Sequence, residues 1–248
     1  MRLDLGGRAR RAAMLAAGAL LVLAAAAPTG VAAATYRDCS GLTLAAGADL
    51  HRCDISGTTF IGEDLAGVNL ARANLSGVFG GCDPDEPRTN LTGAVIYRAV
   101  ATGARLCDAI LTSADLHGTD FRNASFEDAT LRGANLSRAI LDGGGVQFAD
   151  LRTADVSNVS AVGLSGTGVN LDGADAHRID LRDAVLNGSS LVGTDLRYAR
   201  LAGADFSGAD LTGATWRHAT GAASATWADT ICPDGTNSDD HGATCVGH

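Results

Sequence analysis

Residues 109–143, from Ala109 to Gly143, read AILTS ADLHG TDFRN ASFED ATLRG ANLSR AILDG, and this stretch decides the fold. A large apolar residue returns every fifth position, at Leu111, Leu116, Phe121, Phe126, Leu131, Leu136 and Leu141. The register extends unbroken from Leu91 to Trp216, which is 26 units. The residue two before the centre is Ala in 17 of them and the residue two after is Gly in 13. An earlier block keeps the same pattern at Leu50, Ile55, Phe60, Leu65, Leu70 and Leu75. Neither a 3.6-residue nor a 2-residue period fits, so helix and ordinary strand are both poor descriptions. A period of five with two apolar positions suits a chain that turns a corner every five residues, with a small residue at the bend.

Four such sides would close one coil of twenty residues, and the sequence can test this by sorting centres at that spacing. One column is Leu91, Leu111, Leu131, Leu151, Leu171, Leu191 and Leu211, leucine at every level and the expected core. Another is Leu106, Phe126, Val146, Gly166, Leu186 and Phe206, where large rings alternate with smaller neighbours. Glycine runs at 143–145 and around Gly163 to Gly168 thin this column and are expected to give irregular or weak coils. The register breaks once, because Leu75 to Leu91 is sixteen residues, one more than three periods. The expectation is an eleven-residue loop at 78–88, holding Cys82, Pro84 and Pro87, with Leu75 in the Leu106 column.

Charge and the N-terminus narrow the function. The 248-residue chain has formal net charge -9, and all 19 of its basic residues are arginine. That balance argues against a protein that binds duplex nucleic acid by neutralising phosphates. Residues 1–34 read as an export signal: Arg2, Arg8, Arg10 and Arg11 precede an apolar run from Ala12 to Ala27, and Ala32 and Ala34 frame a cleavage site. The run is short for a bilayer-spanning helix. Cleavage would leave a secreted, extracellular chain starting at Thr35, at -12, with no membrane span. Export makes disulfides the natural state of Cys39, Cys53, Cys82, Cys107, Cys232 and Cys245. Six cysteines allow 15 pairings, and no CxxC spacing points to zinc.

The units Ala73-Asn74-Leu75-Ser76-Gly77, Ala114-Asp115-Leu116-His117-Gly118 and Ala209-Asp210-Leu211-Thr212-Gly213 resemble the Ala-Asp/Asn-Leu-x-x unit of the pentapeptide-repeat family. The resemblance covers roughly residues 48 to 218 and implies an all-β fold, a right-handed quadrilateral β-helix, with short disulfide-linked caps at 35–47 and 219–248. In such a coil Cys107, just after Leu106, faces outward one level above the point where the loop leaves, which makes Cys82 with Cys107 a reasonable pair. Cys39 with Cys53 and Cys232 with Cys245 then complete a sequential set. The C-terminal segment looks like one recurring in exported members of the family.

Function must lie on the outward positions. Over residues 89–218 the four sides carry net charges of about -1, +1, -1 and -3, and the +1 side runs through Ile96 and Trp216. It stacks Asp155, Asp175 and Asp195, flanked by His177, Arg197 and Arg217 and then by Arg178, Tyr198 and His218. Two readings apply: a structural charge ladder in which arginines compensate stacked carboxylates, or a strip that docks a partner. Asp234, Asn237, Asp239 and Asp240 form an oxygen-rich run that is a calcium candidate, against the plain reading of turn residues in a disulfide loop. His117 and His177, three coils apart, cannot share an ion. No nucleophile elbow and no pocket-forming pattern is present, so no catalytic residue and no cofactor is expected. The expected function is an exported, non-catalytic structural or protein-interaction scaffold for an unknown protein or cell-envelope partner. The resemblance also implies an alternative, the DNA-mimicking, gyrase-binding mode of the quinolone-resistance proteins, which export and mixed-sign faces oppose.

Overall fold

The computed structural model describes residues 36, 37, 39 and 41–247, so the expected export signal at 1–34 lies outside the described residues. Parallel bridges link each side to the same side one coil on, as in the series Asp115, Asn135, Asp155, Asp175 and Asp195. Successive bridges sit five residues apart and successive levels twenty apart, which gives four sides per coil. The result is a right-handed quadrilateral β-helix.

Each corner is a β-turn closed onto the central residue, for example Ala114 N–H to Leu111 C=O at 3.0 Å. The second residue after the centre has positive φ in all 26 units from Leu91 to Trp216. Glycine accepts that conformation freely, and it fills half of these corners. The Asp or Asn before the centre has its own task. Its side-chain oxygen accepts the N–H of the residue after the centre, as Asp210 does from Thr212 at 2.9 Å, an Asx-turn that fixes the corner. Where Ser or Thr replaces the inward alanine beyond the first coil, the buried hydroxyl donates to a main-chain carbonyl one level back, as Thr194 does to Leu171 at 2.8 Å. The repeat is thus the residue set that leaves few backbone or buried polar groups unpaired at a corner.

A β-branched residue is the worst occupant of a left-handed corner. Thr153, at φ 58, occupies a corner that is glycine at neighbouring levels, Gly133 and Gly173. Thr153→Gly should raise stability by about 1 kcal/mol, the strain of a side chain in that conformation less the entropy glycine adds to the unfolded chain, read as a higher Tm.

All seven leucines from Leu91 to Leu211 are buried, as the twenty-residue column requires. The loop differs from expectation. Phe79 bridges both Thr59 and Arg105, so residues 78–80 complete one more side and Gly80 takes the core position below Leu106. Levels across the break are 26 residues apart in place of 20, so the excess is six residues, not the eleven of 78–88. Leu75 consequently belongs to the Ala101 column, since Asn74 bridges Val100. Gly80 hid this because it has no side chain to mark a core position. The methyl Cδ2 of Leu106 lies 3.1 Å from where its Cβ would be and fills the space.

The glycine-thinned coils are also more regular than expected. Bridges run without interruption through Ser125, Gly145, Ser165 and Val185, and the missing side-chain volume shows only as an apolar cavity of about 20 Å³ beside Val146 and Leu186. At the C-terminal end the ladder passes the expected boundary at 218, through Thr220 and Thr226 to Ile231. The short 3-10 helix Ala222–Ser224 lies where the level spacing changes from 20 to 21 residues. Trp227 then closes the core, stacked on Phe206 at 4.8 Å and edge-on to Trp216 at 5.2 Å. Disulfides join Cys39–Cys53, Cys82–Cys107 and Cys232–Cys245, the sequential set, with Cα–Cα distances of 5.7, 4.8 and 5.3 Å and no free cysteine. Among the described residues no helix is long and apolar enough to cross a membrane.

Candidate interaction face

The Ile96 side brings together the residues singled out from sequence. Asp155, Asp175 and Asp195 bridge consecutively, and each has a different compensation. Asp155 accepts the Ser157 N–H at 2.9 Å, Asp175 holds the His177 ring nitrogen Nδ1 at 2.8 Å, and Asp195 pairs with Arg197 at 2.5 Å. The hydrogen bond from Arg197 holds the Asp195 carboxyl below its ordinary 3.8, against the opposing effect of partial burial. Next along each level, Arg178 lies 5.7 Å over the Tyr198 ring, and that ring stacks on His218 at 5.0 Å. Arg197 therefore serves the charge ladder, while Arg178 and Arg217 form no ion pair among the described residues.

The same pairing of an aspartate with the arginine two residues on recurs at Asp120–Arg122, Asp150–Arg152 and Asp180–Arg182 on other sides. In each case the arginine's hydrogen bond lowers the carboxyl pKa. These pairs are half exposed, so their worth to stability is small. Aspartate–arginine pairing of this kind therefore occurs on three sides of the rod.

Sequence reasoning missed the other half of this face. With the six-residue insertion assigned, the Ile96 column extends back to Leu70 and Leu50. The left-handed corner beside it carries Arg52, Arg72, Arg98, Arg138 and Arg178, and every described arginine with positive φ lies on this edge. Tyr97 stacks on His117 at 5.5 Å and lies 4.9 Å from the Arg98 guanidinium. Four of the chain's six histidines, His51, His117, His177 and His218, belong to this side. The signal that could have found it is arginine recurring at glycine's corner position, which only aligns once Gly80 is counted as a core residue.

Among the described residues no group of three or more His, Cys, Asp or Glu could hold a metal ion. The residues of the calcium candidate have local hydrogen-bonding partners. The Asp234 oxygen accepts from Thr236, Asn237 caps the 3-10 helix Ser238–His241 through the Asp239 N–H, and Asp239 accepts the Asp229 N–H. These are turn and cap roles, the plain reading of the segment. The surface near the N-terminal end of the Ile96 side does hold a shallow, open depression lined by Asp49, His51, Asn69, Ala71, Arg72 and Tyr97.

The coil, its corners and its one featured side define a repeat rod. The chain belongs to the pentapeptide repeat family, whose model matches in 8 copies at residues 47–79, 89–128, 120–158, 149–188, 167–198 and 189–220. Among solved structures it is similar to HetL, a pentapeptide repeat protein involved in heterocyst differentiation regulation from the cyanobacterium Nostoc sp. strain PCC 7120. The two are 27% identical over 77% of this chain and 92% of that one, with a TM-score of 0.49. It is also similar to full-length QnrB1, a plasmid-mediated fluoroquinolone resistance protein, at 19% identity over 70% and 91%, with a TM-score of 0.39. A pentapeptide repeat protein from the Arabidopsis thaliana thylakoid lumen is 30% identical over 40% of this chain and 65% of that one, with a TM-score of 0.31. No curated protein matches.

Proposed function

We propose that the chain is an exported, non-catalytic scaffold that presents its Ile96 side to a partner outside the cytoplasm. The observation that carries this reading is the cysteine pattern: all six are bridged, at both ends of the rod and at its one inserted loop. Bridges of this kind persist in oxidising compartments and are rare in the cytosol. The basic and apolar N-terminal segment agrees with it. A self-filled rod offers flat sides instead of clefts, which favours docking over catalysis. Duplex mimicry would call for a continuous acidic track, whereas here the side with the most exposed rings is edged by arginine.

The test is the intact mass of the protein recovered from its host, before and after reduction and alkylation, with the fraction it came from. A chain starting at Thr35, found outside the cytoplasm and without free thiols, is the expected result. A full-length cytoplasmic chain with six free thiols would overturn it and make gyrase the partner to assay. Arg197→Glu combined with Arg217→Glu should then abolish capture of the partner, since it reverses two charges on the docking side. Unchanged capture would show that this strip serves only as a charge ladder.

A further inference from the structure

We infer that the Ile96 side binds a linear acidic glycan, a chain of carboxylate-bearing sugars laid along the rod and anchored in the depression between Arg72 and Tyr97. The inference rests on the reading of this side as a docking face and names the chemistry of what docks.

The first argument is charge. Arg122, Arg152, Arg182 and Arg197 are matched by aspartates two residues earlier. Arg72, Arg98, Arg138 and Arg178 form no ion pair among the described residues, and all four are exposed at one edge of an acidic protein. Each sits at a left-handed corner, where glycine would be unstrained. Strain accepted repeatedly along one edge points to use of that edge.

The second argument is spacing. Arg98, Arg138 and Arg178 recur at every second level, followed by His218. With levels about 4.8 Å apart, the guanidinium groups stand at intervals of about 10 Å. Planar guanidinium groups suit carboxylates through paired N–H donors. That interval fits an extended polymer with well-separated carboxylates.

The third argument is what lies between the arginines. Stacked rings at Tyr97–His117 and Tyr198–His218 offer flat apolar platforms with polar tips, and the C–H face of a sugar ring packs on such a surface. Asp155 and Asp175 supply acceptors for sugar hydroxyls. A duplex nucleic acid carries about one charge per 1.7 Å of axis, far denser than arginines about 10 Å apart could match. A membrane would need an exposed apolar stripe for insertion, and this side alternates charges and rings instead. At the N-terminal end the small Ala71 between His51 and Tyr97 leaves a shallow, open depression with Arg72 at its edge, where a sugar ring could rest; Asp49 also lines it, with its charge engaged by Arg37 and His51.

The experiment is calorimetric titration of the mature protein with polygalacturonate, with oligogalacturonates of increasing length, and with dextran as the neutral control. Expected results are polyuronate binding that weakens with salt and that tightens with oligomer length until the oligomer spans Arg72 to Arg178. That distance is five levels, about 24 Å. Tyr97→Ala should weaken binding about tenfold, the loss of one stacking platform. Arg72→Glu with Arg98→Glu should remove measurable binding, and Arg72→Gln with Arg98→Gln should do so largely without reversing charge. Arg132→Glu, on the Leu91 side, should leave it unchanged, with Tm confirming that each variant is folded. No polyuronate binding, equal binding of dextran, equal loss in Arg132→Glu, or tighter binding of duplex DNA or of phosphatidylglycerol vesicles would each overturn the inference. Export is read independently by mass and location, so an exported rod that ignores polyuronate sinks the glycan while leaving the scaffold reading intact.

Discussion

Leu151→Asp is expected to unfold the middle of the rod. Leu151 is 3% exposed and sits in the all-leucine column between Leu131 and Leu171. The substitution removes a buried side chain, which costs about 2–5 kcal/mol, and places a carboxylate where no donor or cation can reach it. The protein would neutralise the group or open the coil, and either way the total approaches the whole stability of a domain, about 5–15 kcal/mol. Because each level contacts only its neighbours, the damage should be centred on one stretch and spread from it. Hydrogen exchange should show lost protection at the levels of Leu131, Leu151 and Leu171 before the flanking coils, together with a large fall in Tm. Asp150→Leu, one residue away and facing outward, gives up its pair with Arg152 and its Asx-turn bond to the Arg152 N–H, and should cost about 1 kcal/mol. An unchanged Tm for Leu151→Asp would falsify the four-column register.

The contrast between these two adjacent residues shows why so much of the fold was legible. A period of five with alanine two before most centres assigns inside and outside residue by residue, and columns at twenty set the number of sides at four. The pairing of Cys82 with Cys107 followed from the same geometry, although the column for Leu75 had been misplaced by one side. That error has a single cause. Gly80 is a core residue with no side chain, its space taken by Leu106, so apolar periodicity cannot count it.

The missed half of the interaction face follows from the same miscount. Arg52 and Arg72 align with Arg98, Arg138 and Arg178 only when the insertion is six residues long. At the other end the pattern failed for a different reason. Residues 219–231 keep the backbone ladder while losing the leucine centres, with Gly221, Trp227 and Cys232 in their place, and an extra residue shifts the level spacing from 20 to 21. Hydrogen bonding between levels continues wherever a main chain can lie in register, and it leaves no compositional mark.

That unmarked coil is where the second large effect is expected. A stacked β-helix must close its ends, since an open end exposes both apolar core and unpaired backbone. Trp227 performs the closure here: it is 2% exposed, stacks on Phe206 with ring planes 7° apart, meets Trp216 edge-on, and donates from Nε1 to the Ala222 carbonyl at 2.9 Å. Trp227→Ala should cost about 3–5 kcal/mol, the range for deleting a large buried ring. Its consequence should differ from that of Leu151→Asp, because the loss falls on the last level and not on the centre. Protection from exchange should fall from Phe206 to Ile231 while the coils before it hold, since their own neighbours are intact. The freed rung edge should also make the variant associate end to end as concentration rises, which light scattering would detect. Trp227→Phe keeps an aromatic ring for packing on Phe206 and gives up the hydrogen bond to Ala222, a loss of about 1 kcal/mol, and should stay monodisperse. If Trp227→Ala kept full protection at Ile231, closure would have to reside in the Cys232–Cys245 bridge. Reduction of that bridge in the variant would then release the last coil, whereas an end held by the aromatic plug has already opened before any reductant is added.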